Sequence, residues 1–169
     1  MNQLENFRKQ KDDFYKNDDQ SPFTPEQQKT FKGLVYFPED ASLRFEAIVD
    51  EFEKKDQISM PTSTGSVQKY VRFGKIKFTV DGQPSELTIY TSGHEYFLPF
   101  ADSLAGKETY GAGRYMEPKP IEHNKVLVDF NYAYNPYCAY NDNWSCPITP
   151  AENRLKVPIR AGEKIYENH

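Results

Sequence analysis

Tyr70-Val71-Arg72-Phe73-Gly74-Lys75-Ile76-Lys77-Phe78-Thr79-Val80-Asp81-Gly82-Gln83-Pro84-Ser85-Glu86-Leu87-Thr88-Ile89-Tyr90-Thr91 is the stretch whose reading decides the fold. Ile76, Phe78 and Val80 fall on one side of an extended chain, with Lys75, Lys77 and Thr79 on the other. That is the period-two alternation of a half-buried strand. Asp81-Gly82-Gln83-Pro84 interrupts it, and Leu87 and Ile89 resume it inward. An Asp-Gly pair accepts the positive φ that tight hairpin turns require, so the stretch predicts two antiparallel strands.

Working outward, the same period recurs on both sides. Leu43, Phe45, Ala47 and Val49 alternate with Arg44, Glu46, Ile48 and Asp50, and residues 57–62 read as a further strand interrupted by Pro61. Residues 96–100 and 113–116 are short strands, and 125–130 is a strong apolar one. Leu155, Val157 and Ile159 alternate around Pro158, which cannot donate to a ladder, so this segment is expected at an edge or as extended cover. Only the first part of the chain departs from the pattern. Leu4, Phe7, Lys11, Phe14 and Tyr15 recur at helical spacing over residues 2–17, the mark of an amphipathic helix. Thr24-Pro25-Glu26-Gln27 carries a capping box with proline at the first helical position, which predicts a short second helix ending near Gly33. The apolar run 34–37, closed by Pro38, is expected to seal one end of the core.

About seven to nine short strands after two helices, with no repeating strand–helix unit, exclude a parallel α/β sheet. The reading is mainly β: an antiparallel β-barrel or β-sandwich with N-terminal helices packed against it. No Pro/Gly/Ser-rich linker divides the chain, so one domain is expected over residues 1–169, with a helical part at 1–33 and a β-rich body at 34–169. At 169 residues and 19.7 kDa the chain can bury a sizeable core. Its aromatic residues, 15% of the chain, offset a modest 37% hydrophobic content, since each ring buries roughly 150–250 Å². A formal charge of −4 opposes a nucleic-acid backbone as partner. No apolar run is long enough to span a bilayer. The opening Met1-Asn2-Gln3-Leu4-Glu5 lacks the apolar core of a signal peptide, so the chain as it stands reads as cytoplasmic.

Chemistry-bearing residues concentrate after the strand at 125–130. Asp129-Phe130-Asn131-Tyr132-Ala133-Tyr134-Asn135-Pro136-Tyr137-Cys138-Ala139-Tyr140-Asn141 gathers tyrosines, asparagines and one of the two cysteines. If alternation persisted, Val128, Phe130, Tyr132 and Tyr134 would share one side. Asp129, Asn131, Ala133 and Asn135 would share the other. Asn131 and Asn135 can hold loop backbone through their amides, giving a hydrogen-bonded plug over one end of the β body. The same polar edge can equally line a small-molecule pocket. Arg114 follows Gly111-Ala112-Gly113, glycines suited to a tight turn and a close neighbouring chain. Its guanidinium can pair with Asp129 inside the fold or receive an anionic ligand. The candidate ligand-binding set is therefore Arg114, Asp129, Asn131, Asn135 and Tyr134, and the expected partner is a small polar or anionic molecule.

Other motifs are incomplete. Gly106-Lys107 lacks the upstream glycines of a phosphate loop, and Gly111-Ala112-Gly113 lacks the third glycine of a dinucleotide fingerprint. Ser92-Gly93-His94 is not a nucleophile elbow. Cys138, Cys146, His94 and His123 are enough in number for a tetrahedral metal, but their spacing departs from the usual paired-ligand pattern, and neither metal nor cofactor is assigned. The two cysteines, with seven residues between them in one loop, read equally as free thiols or as a disulfide. His94 and Cys138 are the candidates for an alternative, hydrolase-like enzyme that would use nearby carboxylates. A third reading is a structural or protein-interaction module, since tyrosine-rich surfaces suit such contacts.

Tyr96-Phe97-Leu98-Pro99-Phe100, the run Gly106 to Tyr115, and Asp129-Phe130-Asn131 with Ala133-Tyr134-Asn135-Pro136 and Cys138-Ala139-Tyr140 form a recognisable series. Cys146-Pro147, Glu152-Asn153 and Ala161-Gly162-Glu163-Lys164 continue it, and Ser21-Pro22-Phe23 with Gly33-Leu34-Val35-Tyr36-Phe37-Pro38 extends it toward the N-terminus. The series resembles the DUF1684 family of bacterial and archaeal proteins. The resemblance implies no established residue roles, because the family is one of unknown function. Some members carry export or lipoprotein leaders, so the resemblance adds an extracytoplasmic alternative to the cytoplasmic reading.

Overall fold

The computed structural model describes residues 2–166. Helix α1 (Gln3–Asn17) starts at Asn2, whose side chain accepts from the Glu5 amide, and α2 (Pro25–Thr30) starts in the predicted capping box at Thr24 and Gln27. Nine strands follow: β1 (Arg44–Ile48), β2 (Asp50–Glu51), β3 (Gln57–Pro61), β4 (Val67–Val80), β5 (Gln83–Ser92), β6 (Glu95–Phe100), β7 (Arg114–Met116), β8 (Lys119–Glu122) and β9 (Lys125–Asp129). Every strand pairing is antiparallel. The strands divide into two sheets. One runs β1-β9-β8; the other runs β2-β4-β5-β6-β7, with β3 added along β4. Neither sheet closes on itself, so the fold is a β-sandwich carrying two N-terminal helices, rather than a barrel.

The central hairpin is built as its sequence dictates. Val80 pairs with Gln83 across a two-residue turn, where Asp81 (φ 50°) and Gly82 (φ 78°) both adopt the left-handed backbone that a primed turn demands. Ile76, Val80, Leu87 and Ile89 are buried. With Ala47, Val126 and Val128 from the other sheet, and Leu98, Phe100 and Met116, they form one apolar cluster between the sheets. Phe45 stacks on Phe78 at 5.3 Å and Phe130 packs edge-on against Phe100 at 5.0 Å, so aromatic rings join the sheets at that end.

Two local departures from the sequence reading have physical causes, and one open expectation is narrowed. Lys119–Glu122, which the sequence reading did not mark as a strand, pairs with β9 as an edge strand, where Pro120 can leave its missing donor on the unpaired side. The alternation in β9 stops at Asp129, because its carboxylate accepts the Asn131 amide and turns residues 130–132 into a 3-10 turn. Tyr132 and Tyr134 therefore do not continue the face of Val128. The segment around Leu155, Val157 and Ile159 takes the second of its two expected forms, extended cover: Leu155 N–H donates to Ala101 O at 2.7 Å, and Ser103 N–H donates to Val157 O at 3.0 Å.

A second, aromatic cluster lies outside the sandwich. Tyr15 of α1, Phe23, Phe31, Leu34 and Tyr140 are buried together, with Tyr36, Tyr137 and Tyr166 packed around them. It joins the helices to the tyrosine-rich loop and to the C-terminal segment. That segment is tied down by Phe37 N–H donating to Gly162 O (2.9 Å), Lys164 N–H to Val35 O (2.8 Å) and Glu163 N–H to Ala133 O (3.0 Å).

Candidate functional site

Three of the five predicted ligand-binding residues lie inside this cap. Arg114, on β7, is 1% exposed. Its guanidinium donates to the carbonyls of Ile159 (2.9 Å), Ala161 (2.5 Å) and Glu163 (3.0 Å) and lies over the Phe100 ring. Its carboxylate neighbour is Asp102, at 4.0 Å, and not Asp129. Burial pulls the guanidinium's pKa down, opposed by Asp102 and Glu163. The register explains the correction: Asp129 pairs with Arg44 on β1, in the other sheet from Arg114, and caps its own turn. Gly113 makes the geometry possible. At φ 104°, a Cβ there would stand 2.7 Å from Phe100 O, closer than real side chains approach.

Asn131 and Asn135 are likewise buried. Asn131 accepts from the Asp40 amide (2.9 Å) and donates to Asp40 O (3.0 Å) and the Asp129 carboxylate (2.9 Å), holding the chain before β1 against the end of β9. The Asn135 amide N–H donates to Glu163 and its side chain to Lys164 O (3.0 Å). Glu163, itself 1% exposed, also accepts from Lys11 of α1 and from the Tyr140 hydroxyl. These groups form the hydrogen-bonded plug that was one of the two readings of this stretch.

The other two, Asp129 and Tyr134, open onto a cleft. Between the start of α1 and the β9 side of the sandwich lies a cleft of about 650 Å³, whose apolar lining includes Leu4, Phe7, Met116 and Leu127. Its polar rim consists of Glu39, Arg44, Glu117, Lys119, Asp129 and the two tyrosines Tyr132 and Tyr134. The volume and the mostly apolar floor match sites that hold small molecules. Tyr134 donates its hydroxyl to Glu117 at 2.7 Å. Desolvation raises the Glu117 pKa, against the lowering effect of that hydrogen bond. Arg44 is paired with Glu39 at 3.2 Å, and Asp129 is engaged by Asn131. Lys119 has no ion-pair partner among the described residues.

Sequence reasoning missed Arg44, Glu117 and Lys119, because they stand on three separate strands or strand ends that only the sheet pairing brings together. The helical spacing of Leu4 and Phe7 was legible, but it did not indicate which surface they face.

The catalytic candidates are not brought together. His94 sits in the exposed turn between β5 and β6, and His123 in the exposed turn between β8 and β9. The groups against Cys138 are instead Cys146, Tyr110 and Ser63. Both thiols are free, Cys138 half-buried and Cys146 buried.

The fold is similar to a solution NMR structure of an uncharacterized protein from Haloarcula marismortui. That protein is 35% identical, with a TM-score of 0.74, and the match covers 99% of this chain and 95% of the other. No curated protein matches the chain. A family model described as a protein of unknown function, DUF1684, matches residues 29–164, a span that includes both sheets, the tyrosine-rich loop and the buried plug. The chain belongs to the DUF1684 family.

Proposed function

We propose that the protein binds a small amphipathic molecule in the cleft beside the tyrosine-rich loop, without chemical conversion. The reading is carried by one observation: an apolar floor of Leu4, Phe7, Met116 and Leu127 beneath a rim on which Lys119 has no ion-pair partner among the described residues. An apolar body would lie on the floor, removing its surface from water at roughly 25 cal/mol per Å². A polar or anionic head would meet Lys119 and the outer guanidinium nitrogens of Arg44, while the Tyr132 and Tyr134 rings flank the entrance.

The negative rim sets a pH dependence. Glu117 is the carboxylate whose pKa is raised by desolvation, so it becomes neutral at higher pH than an ordinary glutamate. Repulsion of an anionic head should therefore weaken as the medium is acidified.

Octane-1-sulfonate, which stays ionised at low pH, tests the reading against uncharged octan-1-ol by methyl-resolved NMR titration. Shifts are expected at Leu4, Met116 and Leu127. Lys119→Glu should weaken the sulfonate about threefold to tenfold and leave the alcohol unchanged, in line with one solvent-exposed ion pair. Glu117→Gln should tighten the sulfonate at neutral pH and flatten its pH dependence. Absence of shifts at the cleft with either probe, or equal effects of Lys119→Glu on both, would overturn the proposal.

A further inference from the structure

The two cysteines lie away from the cleft and are unused by the ligand-binding reading. Cys138 stands in a 3-10 turn (Tyr137–Ala139) of the tyrosine-rich loop, and Cys146 stands at the far end of the same loop, against the polar turn that links β3 to β4. The Cys138 amide N–H donates to the Cys146 sulfur at 3.4 Å, which holds that sulfur against the Cys138 backbone. Cys146 is anchored from below. Its amide N–H donates to Ser63 Oγ (3.2 Å), and its carbonyl accepts from the Ser63 amide (2.9 Å). Cys138 is the more exposed residue of the two, and the Tyr110 hydroxyl lies 3.8 Å from its sulfur.

We propose that Cys138 and Cys146 form a reversible dithiol–disulfide couple that exchanges with small disulfides, with Cys138 the attacking thiol and Cys146 the resolving one.

Three features support this division of labour. Cys138 is the more exposed residue of the two, the side from which a slender disulfide would approach. The Cys146 sulfur already sits beside the Cys138 backbone, as a resolving thiol must. The Cys146 S–H, and after it the Tyr110 hydroxyl and Ser63, stabilise negative charge on Cys138 and bring its pKa down to about 6 despite burial, while Cys146 is driven upward by the same partnership. The titratable groups around the pair are Tyr110, Tyr115 and Tyr137, with Asp142 acting on Tyr110. The tyrosines are held neutral by desolvation well above physiological pH, and they act on the pair as dipoles.

The exchange balances without any further reagent. The Cys138 thiolate attacks one sulfur of a disulfide RSSR; the S–S bond breaks, a Cys138–SR mixed disulfide forms and RS⁻ leaves. Cys146 gives its proton to a departing thiolate and attacks the Cys138 sulfur. The second RS⁻ leaves and takes up a proton from solvent, the one released when Cys138 ionised. The net reaction converts one RSSR and two protein thiols into two RSH and one protein disulfide: the protein loses two electrons and two protons, and RSSR gains them. Run backward, a small thiol reduces the protein disulfide. The thiolate is the competent nucleophile throughout.

The full-length protein would be incubated with oxidised glutathione, then with reduced glutathione, and quenched by alkylation for intact mass. The expected course is loss of two hydrogens, recovered on reduction with native fold retained. Cys146→Ala should accumulate a single glutathione adduct mapped to Cys138. Cys138→Ala should accumulate none at Cys146. In the wild type, iodoacetamide should label Cys138 at pH 6.5 about fivefold to tenfold faster than a cysteine of ordinary pKa, allowing for the weaker intrinsic nucleophilicity of an acidic thiol. Tyr110→Phe should raise the midpoint of that rate profile without unfolding the protein, and it remains informative if Cys146→Ala folds poorly. Persistence of both thiols in oxidised glutathione would overturn the proposal. So would an adduct on Cys146 in place of Cys138, or a disulfide that glutathione reduces only in denaturant.

Discussion

The space between the two sheets and the cap over their end are both fully buried, yet they are held by different physics. Between the sheets, Ile76, Leu87, Ile89, Leu98, Val126 and Val128 exclude water with apolar side chains alone. In the cap, Arg114, Asn131, Asn135 and Glu163 are equally dry, and each is held by hydrogen bonds reaching across long stretches of chain. The apolar region tolerates small errors of shape, because dispersion and burial fall off gradually as atoms are removed. The polar region does not. A charge or amide that loses its partner in a dry site keeps the full cost of desolvation. Removing one partner from the cap should therefore cost more than trimming one methyl group from the sandwich.

That contrast breaks most directly at Arg114. Arg114→Leu should cost about 3–5 kcal/mol in urea unfolding, by leaving the carbonyls of Ile159, Ala161 and Glu163 and the Asp102 carboxylate without the guanidinium. A loss below about 1 kcal/mol would mean that the tail is held by its backbone bonds and that the cap is no more brittle than the core. Glu163→Ala should follow at about 3 kcal/mol, because Lys11, Tyr140 and the Asn135 amide lose a shared acceptor while Lys11 can still turn partly toward water. Lys11→Met combined with it should recover part of the loss in a double-mutant cycle, and strict additivity would argue against the pair. The apolar reference, Ile76→Val, should cost only about 1 kcal/mol.

The smallest effect sharpens the comparison from the surface. Glu152 accepts from Arg72 (2.9 Å) and from the Tyr90 hydroxyl (2.8 Å). Burial pushes its pKa up, but these bonds outweigh it and leave the carboxyl below its ordinary value of 4.5. With the folded pKa depressed, its contribution is present above about pH 4.5 and is lost as pH falls through the lower, folded value. Glu152→Gln should therefore lower stability by less than about 1 kcal/mol at neutral pH, given its exposure, and the two proteins should converge in acid. A difference that persists at pH 2 would point to packing rather than charge.

Much of the sandwich was legible because its signals are local. The alternation of Ile76, Phe78 and Val80 with lysines and threonine needs no knowledge of the rest of the chain, and the Asp81-Gly82 turn names its own conformation. The capping box at Thr24 is equally self-contained. The strand at Lys119–Glu122 was not legible, because proline at an edge and proline at a break look alike until the neighbouring strand is placed.

The site was less legible. Asp129 and Tyr134 reach the cleft, but Arg114, Asn131 and Asn135 carry the same residue types into the interior, and polarity alone does not distinguish a ligand contact from a buried clasp. The partners that decide the matter, Asp102 and the carbonyls of residues 159–163 for Arg114, Asp40 for Asn131, and Glu163 and Lys164 for Asn135, are mostly distant in sequence. Strand identity, hairpin turns and helix caps were thus determined by the amino-acid order itself, since a few neighbouring residues fix their backbone energetics. Which polar groups face solvent, and which two thiols meet, was decided only in the folded chain. Those outcomes depend on contacts whose desolvation and hydrogen bonding exist only once remote segments have come together.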